Sequence, residues 1–229
     1  MSKLPAVFSA KLPSFMSADD AKQGHENISG QDLTIPRLKV LQALSPELDE
    51  DKAQYVEGAK PGLILNSVTQ ELMKSVYVVN LYYERNVNVW LKREMGGGLV
   101  GSFKSEIEAK QHLDNAGLEL TSHDLVDTAT HYLLLLNEDG SIKGQAMVDM
   151  ISSALTVSSN WNSNIKLHAD TPRYGTVWNL TTQKRSNTKG SWHVFDFDFA
   201  GYVNDAKLYD EAKRQYQIVS GNASTEAAA

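Results

Sequence analysis

Short runs of β-branched and aromatic residues dominate the chain from Pro61 onward, with glycine, asparagine and charged residues between them. Runs of this kind are typical of antiparallel strands. The pattern predicts strands near residues 62–69, 75–83, 86–92, 98–103, 173–182 and 190–203. Two more strands are expected in "HYLLLLNEDGSIKGQAMVDMI", joined at Asp139-Gly140, a dipeptide that favours a tight hairpin turn.

Three other segments are predicted to be helical. In "KSEIEAKQHLDNAG", Ser105 is suited to cap the first turn and Gly117 to end the helix. Residues 151–166 place their apolar side chains on one helical side. A last helix over about 205–219 repeats apolar residues at three- and four-residue spacing.

These elements predict a mainly β, α+β fold: an OB-like antiparallel β-barrel with added helices, including a C-terminal helix. Residues 1–30 mix proline, alanine and charge without a sustained period, so they are expected to form a flexible arm. Residues 31–220 are expected to form a single domain and residues 221–229 a disordered tail. The segment 32–47 fits a short helix and an extended chain almost equally well.

Composition removes several classes of protein. The chain has no cysteine, which excludes disulfides, thiolate nucleophiles and cysteine-ligated metals and favours a reducing cytoplasm. No apolar run is long enough for a membrane span, so no membrane association is expected. A formal net charge of -6 argues against coating duplex DNA by bulk charge, although a local basic groove is compatible with it.

The tryptophans divide by strand face, because side chains alternate across a strand. Trp90 shares its face with asparagines and Lys92, and Trp192 shares its face with Asp196 and Asp198. Both indoles are therefore expected on polar faces. Trp178 shares its face with Leu180 and is expected in the core.

Cations gather around these two polar-face indoles. Between Trp161 and Phe195 there are five cations and one acid, and a second basic region lies between Tyr82 and Lys104. If the fold brings the two regions side by side, they form a cationic groove with flat stacking surfaces. Such a groove suits single-stranded DNA, whose exposed bases stack on aromatic rings for roughly 1 to 3 kcal/mol each. The predicted DNA-binding residues are Tyr82, Trp90, Lys92, Arg93, Arg173, Lys184, Arg185, Lys189 and Trp192.

Motifs for catalysis are weak. "GGGLVG" matches a dinucleotide-binding spacing but precedes a predicted strand rather than opening a helix, so a glycine hairpin is the preferred interpretation. The six histidines lack zinc-site spacing. Asp196 and Asp198 share a strand face and could hold Mg²⁺ in a nuclease-like arrangement, but no third ligand is evident. No cofactor, no metal and no enzymatic activity are expected.

Three segments carry a resemblance to a known group of proteins: "LTIPRLKVLQALSPE", "REMGGGLVGSF" and "YGTVWNLTTQKRSNTKGSWHVF". From about residue 32 to 203 the chain resembles tailed-bacteriophage replication proteins of the single-stranded DNA-binding type. The resemblance implies an OB-fold, often dimeric, that binds single-stranded DNA in the host cytoplasm and recruits polymerase or helicase through an acidic tail. This chain departs there, since "TEAAA" offers only Glu226, although the acidic loop 47–57 could serve instead.

The leading interpretation is thus a non-enzymatic single-stranded DNA-binding protein of a phage replication or recombination system. Two alternatives stay open. A protein-interaction module, such as a virion component or host-directed inhibitor, could use the same aromatics as interface anchors. A Mg²⁺-dependent nuclease could be centred on Asp196 and Asp198.

Overall fold

A computed structural model describes residues 34–168, 170–188 and 190–221, together with residues 23, 24, 27 and 32. Its contacts divide the chain into two compact units, Met1–Thr34 and Ile35–Ala229. Every strand and helix discussed below belongs to the second unit. The predicted arm at 1–30 and tail at 221–229 lie outside the described residues, apart from residues 23, 24, 27 and 221.

The described part of the second unit contains nine strands, three α-helices and several 3-10 turns. The strands are β1 (Leu38–Val40), β2 (Ile64–Asn66), β3 (Leu72–Met73), β4 (Val76–Leu91), β5 (Leu99–Phe103), β6 (His123–Leu136), β7 (Ile142–Ile151), β8 (Thr176–Asn187) and β9 (Gly190–Tyr202). The α-helices are α1 (Glu106–Asn115), α2 (Leu155–Leu167) and α3 (Ala206–Val219). The 3-10 turns are Pro46–Leu48, Arg93–Met95, Leu120–Ser122, Ser152–Ala154 and Arg173–Gly175.

The long strand β4 is the centre of a six-stranded antiparallel sheet: five strands follow the order β7-β6-β4-β8-β9, and the sixth, β5, also pairs with β4. On one side β4 pairs with β6 from Tyr77 to Leu91. On the other side it pairs with β8 only at Val76–Val79 and with β5 only at 87–90. The edge of β4 between these two partners carries no strand among the described residues. We call Val76–Tyr83 the near half of β4 and Glu84–Leu91 its far half.

The sheet does not close into a barrel within the described strands, which corrects the OB-like barrel expected from the sequence. The edge strands β7 and β9 are kept apart by the start of a small antiparallel sheet, β1-β2-β3. The N–H of Met147 in β7 donates to the carbonyl of Pro36 at 2.7 Å. The Gln42 side chain exchanges two hydrogen bonds with the backbone of His193 in β9, at 2.8 and 2.9 Å. The coarser prediction of a mainly β, α+β fold is confirmed.

Helices cover both faces of the near half of β4. On one face, α2 contributes Trp161 and Ile165 to a core that also contains Val78 of β4 and Leu38 of the small sheet. On the opposite face, Ala212 of α3 packs on Val79 and Leu81 of β4. The helix α1 packs further along, where Ala109 and Leu113 meet Val89. Burying these apolar faces is what orders the sheet.

Local signals placed most elements well. The Ser105 hydroxyl accepts a hydrogen bond from the N–H of Glu108 at 3.2 Å and so caps α1, as predicted. Asp205 caps α3 in the same way through the N–H of Leu208, at 2.8 Å. The two strands predicted at 75–83 and 86–92 are instead one continuous strand, because Glu84 and Arg85 keep the backbone pairing with β6, opposite Thr130 and Ala129.

Candidate nucleic-acid interface

The face of β4 that α3 covers along the near half continues uncovered along the far half. In the cluster beneath α3, Tyr82 is the last β4 residue among those described. Beyond it, four β4 side chains share this face: Glu84, Asn86, Asn88 and Trp90. Pairing extends the row at Asn86 to Thr128 of β6 and then to Ile151 of β7. We call the surface formed by Ile151 and the four β4 residues the open face; Thr128, which lies between them, is buried.

Hydrogen bonds hold the polar side chains of the open face in place. The Tyr132 hydroxyl donates to Glu84 at 2.7 Å, and the Lys104 ammonium donates to Asn86 at 3.0 Å. Ser102 donates to Asn88 at 2.6 Å. Burial alone raises the pKa of Glu84, but hydrogen bonds from Tyr132 and its neighbours outweigh burial and lower the pKa below its usual value. The polar side chains of this face are therefore hydrogen-bonded, and the Lys104 ammonium lies 3.4 Å from the Glu84 carboxylate.

Trp90 stands at the end of the open face with 40% of its surface exposed. It pairs with Leu99 of β5 and with Asp124 of β6. The turn between β4 and β5 closes through Gly96, Gly97 and Gly98, whose φ angles of 109°, 71° and 114° are ones that other residues rarely adopt. The glycine-hairpin interpretation of "GGGLVG" matches this geometry.

Two predicted cations flank Trp90. Lys92 donates its ammonium to the carbonyl of Thr121 at 2.7 Å, so it is partly committed to the protein. Arg93 is exposed in the 3-10 turn Arg93–Met95, and it forms no ion pair with any residue that the structure describes. A cation free of carboxylates beside an exposed indole can contact a phosphate while the ring stacks on a base.

The second predicted aromatic, Trp192, lies near the turn of the β8–β9 hairpin. Its cross-strand neighbour is Arg185, so the indole and the guanidinium share one face of the hairpin. Both reach Ser153: the indole N–H donates to its hydroxyl at 3.1 Å, and Arg185 donates to its carbonyl at 3.5 Å. A groove of about 370 Å³ opens here, and its lining is Ser153, Asn187, Gly190, Ser191 and Trp192. Lys184 is exposed opposite His193, and Lys189 lies outside the described residues.

By register the β8–β9 hairpin turn extends past Val76, the end of β4 opposite to Trp90. Within the described residues, the hairpin reaches the open face only through Ser153, just after the end of β7. Ser153, which contacts Trp192, follows Ile151 of the open face by two residues. Ile151 lies two strands from Asn86, and Trp90 is four residues beyond Asn86 on β4. At about 4.8 Å per strand and 3.3 Å per residue, Trp90 is roughly 16 Å from Ile151. The structure therefore brings the two predicted regions near each other without placing their indoles in contact.

Two predicted residues are committed to the interior instead. Tyr82 packs between Tyr132 and Tyr216, with ring centroids 5.8 and 6.4 Å away, beneath α3. Arg173 donates to Asn80 at 3.0 Å and to Asn162 at 2.7 Å. Burial lowers the pKa of Arg173, yet its ordinary pKa is so high that it stays charged. Both residues support the fold behind the surface.

Sequence reasoning missed the buried polar cluster that holds Arg173. Asn80 also contacts His131 at 2.9 Å, and the other ring nitrogen of His131 contacts Ser158 at 2.8 Å. Burial, with the charge of Arg173 as a smaller cause, lowers the pKa of His131 to about 3, so the ring is neutral. The available signal was a polar residue within each apolar run, "VVNL" and "ATHYLLLL".

Asp196 and Asp198 lie on one strand face, paired with Thr181 and Asn179. Within the residues described, no three acidic or histidine side chains are grouped so that they could hold a metal ion. In the same part of the chain, no helix combines the length and the apolar character that crossing a membrane requires.

Comparison with known proteins identifies one family. The family model described as Pam3 phage gp34-like protein matches residues 6–225, which is nearly the whole chain. No curated protein matches the chain, and no solved structure matches it.

Proposed function

The chain belongs to the Pam3 phage gp34-like family, and from this premise we propose that it binds single-stranded DNA during phage replication or recombination. The family indicates a phage protein and carries no information about DNA. The proposal rests instead on the exposed surface at the far end of the sheet. It requires no closed barrel, because stacking needs only an open face with an accessible ring. The expected location is the cytoplasm of the infected host.

The observation that supports the proposal most is Trp90, exposed on a polar face and close in sequence to Arg93, which forms no ion pair among the described residues. The indole has 40% of its surface exposed on a face with asparagines, so it offers an unpaired base a flat ring to stack on. Arg93, three residues away, offers a guanidinium for a phosphate. A base can then stack on Trp90 while its phosphate contacts Arg93.

The β8–β9 hairpin supplies a second set of contacts for the same strand of DNA. Trp192 is held by its hydrogen bond to Ser153, which fixes the ring plane in advance of binding. Lys184 and Arg185 are the cations nearest to it on β8. The DNA strand is expected to run from Trp90 across Ile151 to Trp192, and about four of its phosphates are neutralised by protein cations.

Titration of intrinsic tryptophan fluorescence with an oligonucleotide of about thirty thymidines tests the proposal. Binding is expected to quench emission, and neutralising about four phosphates gives a slope of log K against log salt of about -3. Affinity should then fall roughly 60-fold between about 50 and 200 mM salt. A duplex of the same length serves as the control and is expected to bind more weakly. Absent quenching, or binding that ignores salt, contradicts the proposal.

A protein-interaction module remains the second candidate, because one observation favours it. Leu99 is exposed opposite Trp90 on β5, and Met95 is exposed in the turn between the two strands, so this end of the hairpin carries three exposed apolar side chains. Contiguous exposed apolar surface often marks a protein interface. The double substitution Met95→Ser with Leu99→Ser separates the two candidates. It should abolish capture of a host protein by the module but leave oligonucleotide affinity within about threefold if Trp90 stacks on DNA.

A further inference from the structure

A second cavity lies at the opposite end of β4 from Trp90. It is a groove of about 930 Å³ between the β6–β7 turn, the end of β9 and the start of α3. Tyr77, which lines it, precedes Trp90 by thirteen residues, or roughly 43 Å along the strand. We call this cavity the end groove. Nothing in the proposed DNA contacts uses it.

Aromatic side chains and carboxylates line the end groove. Its aromatic residues are Tyr77, Phe199 and Tyr202, and each is exposed. Its acidic residues are Glu138, Asp139, Asp198 and Asp205. The lining contains no lysine, arginine or histidine. Exposed rings together with uncompensated negative charge favour an occupant that is both cationic and partly apolar.

Two of the four carboxylates are held by hydrogen bonds, and none of the four forms an ion pair with a residue that the structure describes. Asp139 accepts hydrogen bonds from the N–H and the hydroxyl of Ser141, which lower its pKa and keep it ionised. Asp205 is fixed as the cap of α3. Glu138 and Asp198 form no ion pair with any residue in the described part of the second unit.

Several occupants are disfavoured by this chemistry. A metal ion needs at least three grouped ligands, and the described residues offer no such group. Polyanions such as DNA and anionic membrane surfaces are repelled by four carboxylates. A peptide remains, and the edge of the sheet favours one: along Asp198–Gly201, β9 has no strand partner on its outer side among the described residues. An extended peptide can add its backbone to such an edge.

We propose that the end groove binds an extended, positively charged segment of another protein, with arginine or lysine side chains on its carboxylates and aromatic rings. The site is independent of the DNA contacts, so one molecule can hold a strand at one end and a protein at the other. A cavity of about 930 Å³ is at the upper end of the range for pockets that accept a drug-sized ligand, so it accommodates only a few peptide residues.

The test is fluorescence anisotropy of the full chain with a labelled peptide of about eight residues that alternates arginine and leucine. Saturable binding is expected. The groove variant Glu138→Lys with Asp198→Lys should weaken it at least about tenfold. The matched variant Glu57→Lys with Asp114→Lys makes the same change in net charge at exposed positions outside the groove, and it should stay within about threefold of wild type.

A third variant isolates the aromatic contribution. Tyr77 is exposed and makes no side-chain hydrogen bond among the bonds found for the described residues, so Tyr77→Ala should leave the fold intact. Peptide affinity is expected to fall about three- to tenfold. Equal losses in the two lysine variants would show bulk attraction and overturn the proposal. Equal binding of a peptide that alternates glutamine and leucine, or the absence of saturable binding, overturns it too.

Self-association is the remaining outcome. If sedimentation shows that wild type is a dimer and the groove variant a monomer, then a second copy occupies the end groove and the proposal is wrong. The oligonucleotide titration is a separate measurement on separate residues. Failure of peptide binding therefore leaves the proposed DNA binding untouched, and the reverse holds as well.

Discussion

The two halves of β4 share one backbone and differ in what covers them. In the near half, the small sheet and α2 lie on one face and α3 lies on the other, so Val78, Val79 and Leu81 are buried. In the far half, α1 covers the face of Val89, while the open face carries Glu84, Asn86, Asn88 and Trp90. The backbone is one continuous strand in both halves, and the halves differ in whether a helix covers the second face.

The difference shows how to interpret the outward residues of the far half. Alternation along a strand predicts which residues share a face. A face that a helix covers is expected to be apolar, and an uncovered face is expected to be polar. Glu84, Asn86 and Asn88 follow that rule, because they are polar residues on the uncovered face. Trp90 lies on the same uncovered face but is apolar, so it departs from this rule.

The largest expected effect comes from the covered part of the sheet. Trp178 is 1% exposed, and it is surrounded by the rings of Trp161, Phe197 and Phe199. Trp178→Ala leaves a cavity there and should lower the free energy of unfolding by about 3–5 kcal/mol. Urea unfolding followed by circular dichroism measures it. Trp90→Ala is the matched control and should cost less than about 1 kcal/mol; equal losses contradict the contrast between the halves.

The second prediction concerns Arg173, which joins β4 to α2. Arg173→Ala removes two hydrogen bonds that the charged guanidinium donates to the amide oxygens of Asn80 and Asn162. Both oxygens then lose this donor. The expected loss in the free energy of unfolding is about 2–3 kcal/mol. Arg85→Ala provides the control, since Arg85 forms an exposed ion pair with Asp127 worth at most about 1 kcal/mol. A stable Arg173→Ala protein with poor DNA binding would restore Arg173 as a phosphate contact.

The third prediction is a pH dependence that arises from the buried cluster. His131 has a folded-state pKa of about 3, against about 6.5 when unfolded, so the unfolded chain takes up the proton first as the pH falls. The stability from this neutral ring is present above pH 6.5 and is lost between pH 6.5 and 3. Between pH 7 and pH 5 the loss is about 2 kcal/mol.

Urea unfolding at the two pH values measures this loss, with His131→Gln as the comparison. Acidic residues contribute a background slope that both proteins share. The wild type should lose about 2 kcal/mol more than the variant over this range. Identical pH dependence in the two proteins would mean that His131 is not buried as a neutral ring.

Sequence alone predicted the elements with strong local signals. The cap at Ser105, the turn at Asp139-Gly140 and the final helix are each decided by a few neighbouring residues. The segment 32–47 proved extended at β1, so its extended interpretation is confirmed there. The short helix is absent from residues 34–45, and the 3-10 turn Pro46–Leu48 begins only at the end of the segment.

Nonlocal features could not be predicted in this way. The barrel was expected because the strands are short and antiparallel, but closure depends on whether β7 and β9 pair, and no local pattern encodes that. Tyr82 and Arg173 were assigned to the DNA surface for their chemistry alone. Their burial depends on α3 and α2, which lie far along the sequence and cover them only after folding. Trp90 and Trp178 were assigned by alternation, and their exposures agree with that assignment.

The smallest expected effect is a change in salt dependence. Arg93→Ala removes one phosphate contact from the end of the open face, so the slope of log K against log salt should become less negative by about 0.7. Affinity itself should fall by less than about fivefold at low salt. Lys213→Ala, on the exposed side of α3, serves as the control and should leave the slope unchanged. If both substitutions change the slope alike, the bound single-stranded DNA does not pass Arg93.

The most direct measurement is the affinity of Trp90→Ala for an oligonucleotide of about thirty thymidines, compared with Trp90→Phe and wild type. Loss of one stacked base costs roughly 1–3 kcal/mol, so the alanine variant should bind about 5- to 150-fold more weakly. The phenylalanine variant keeps a flat ring and should stay within about fivefold of wild type. An alanine variant that binds as tightly as wild type contradicts the claim that the open face holds single-stranded DNA through Trp90.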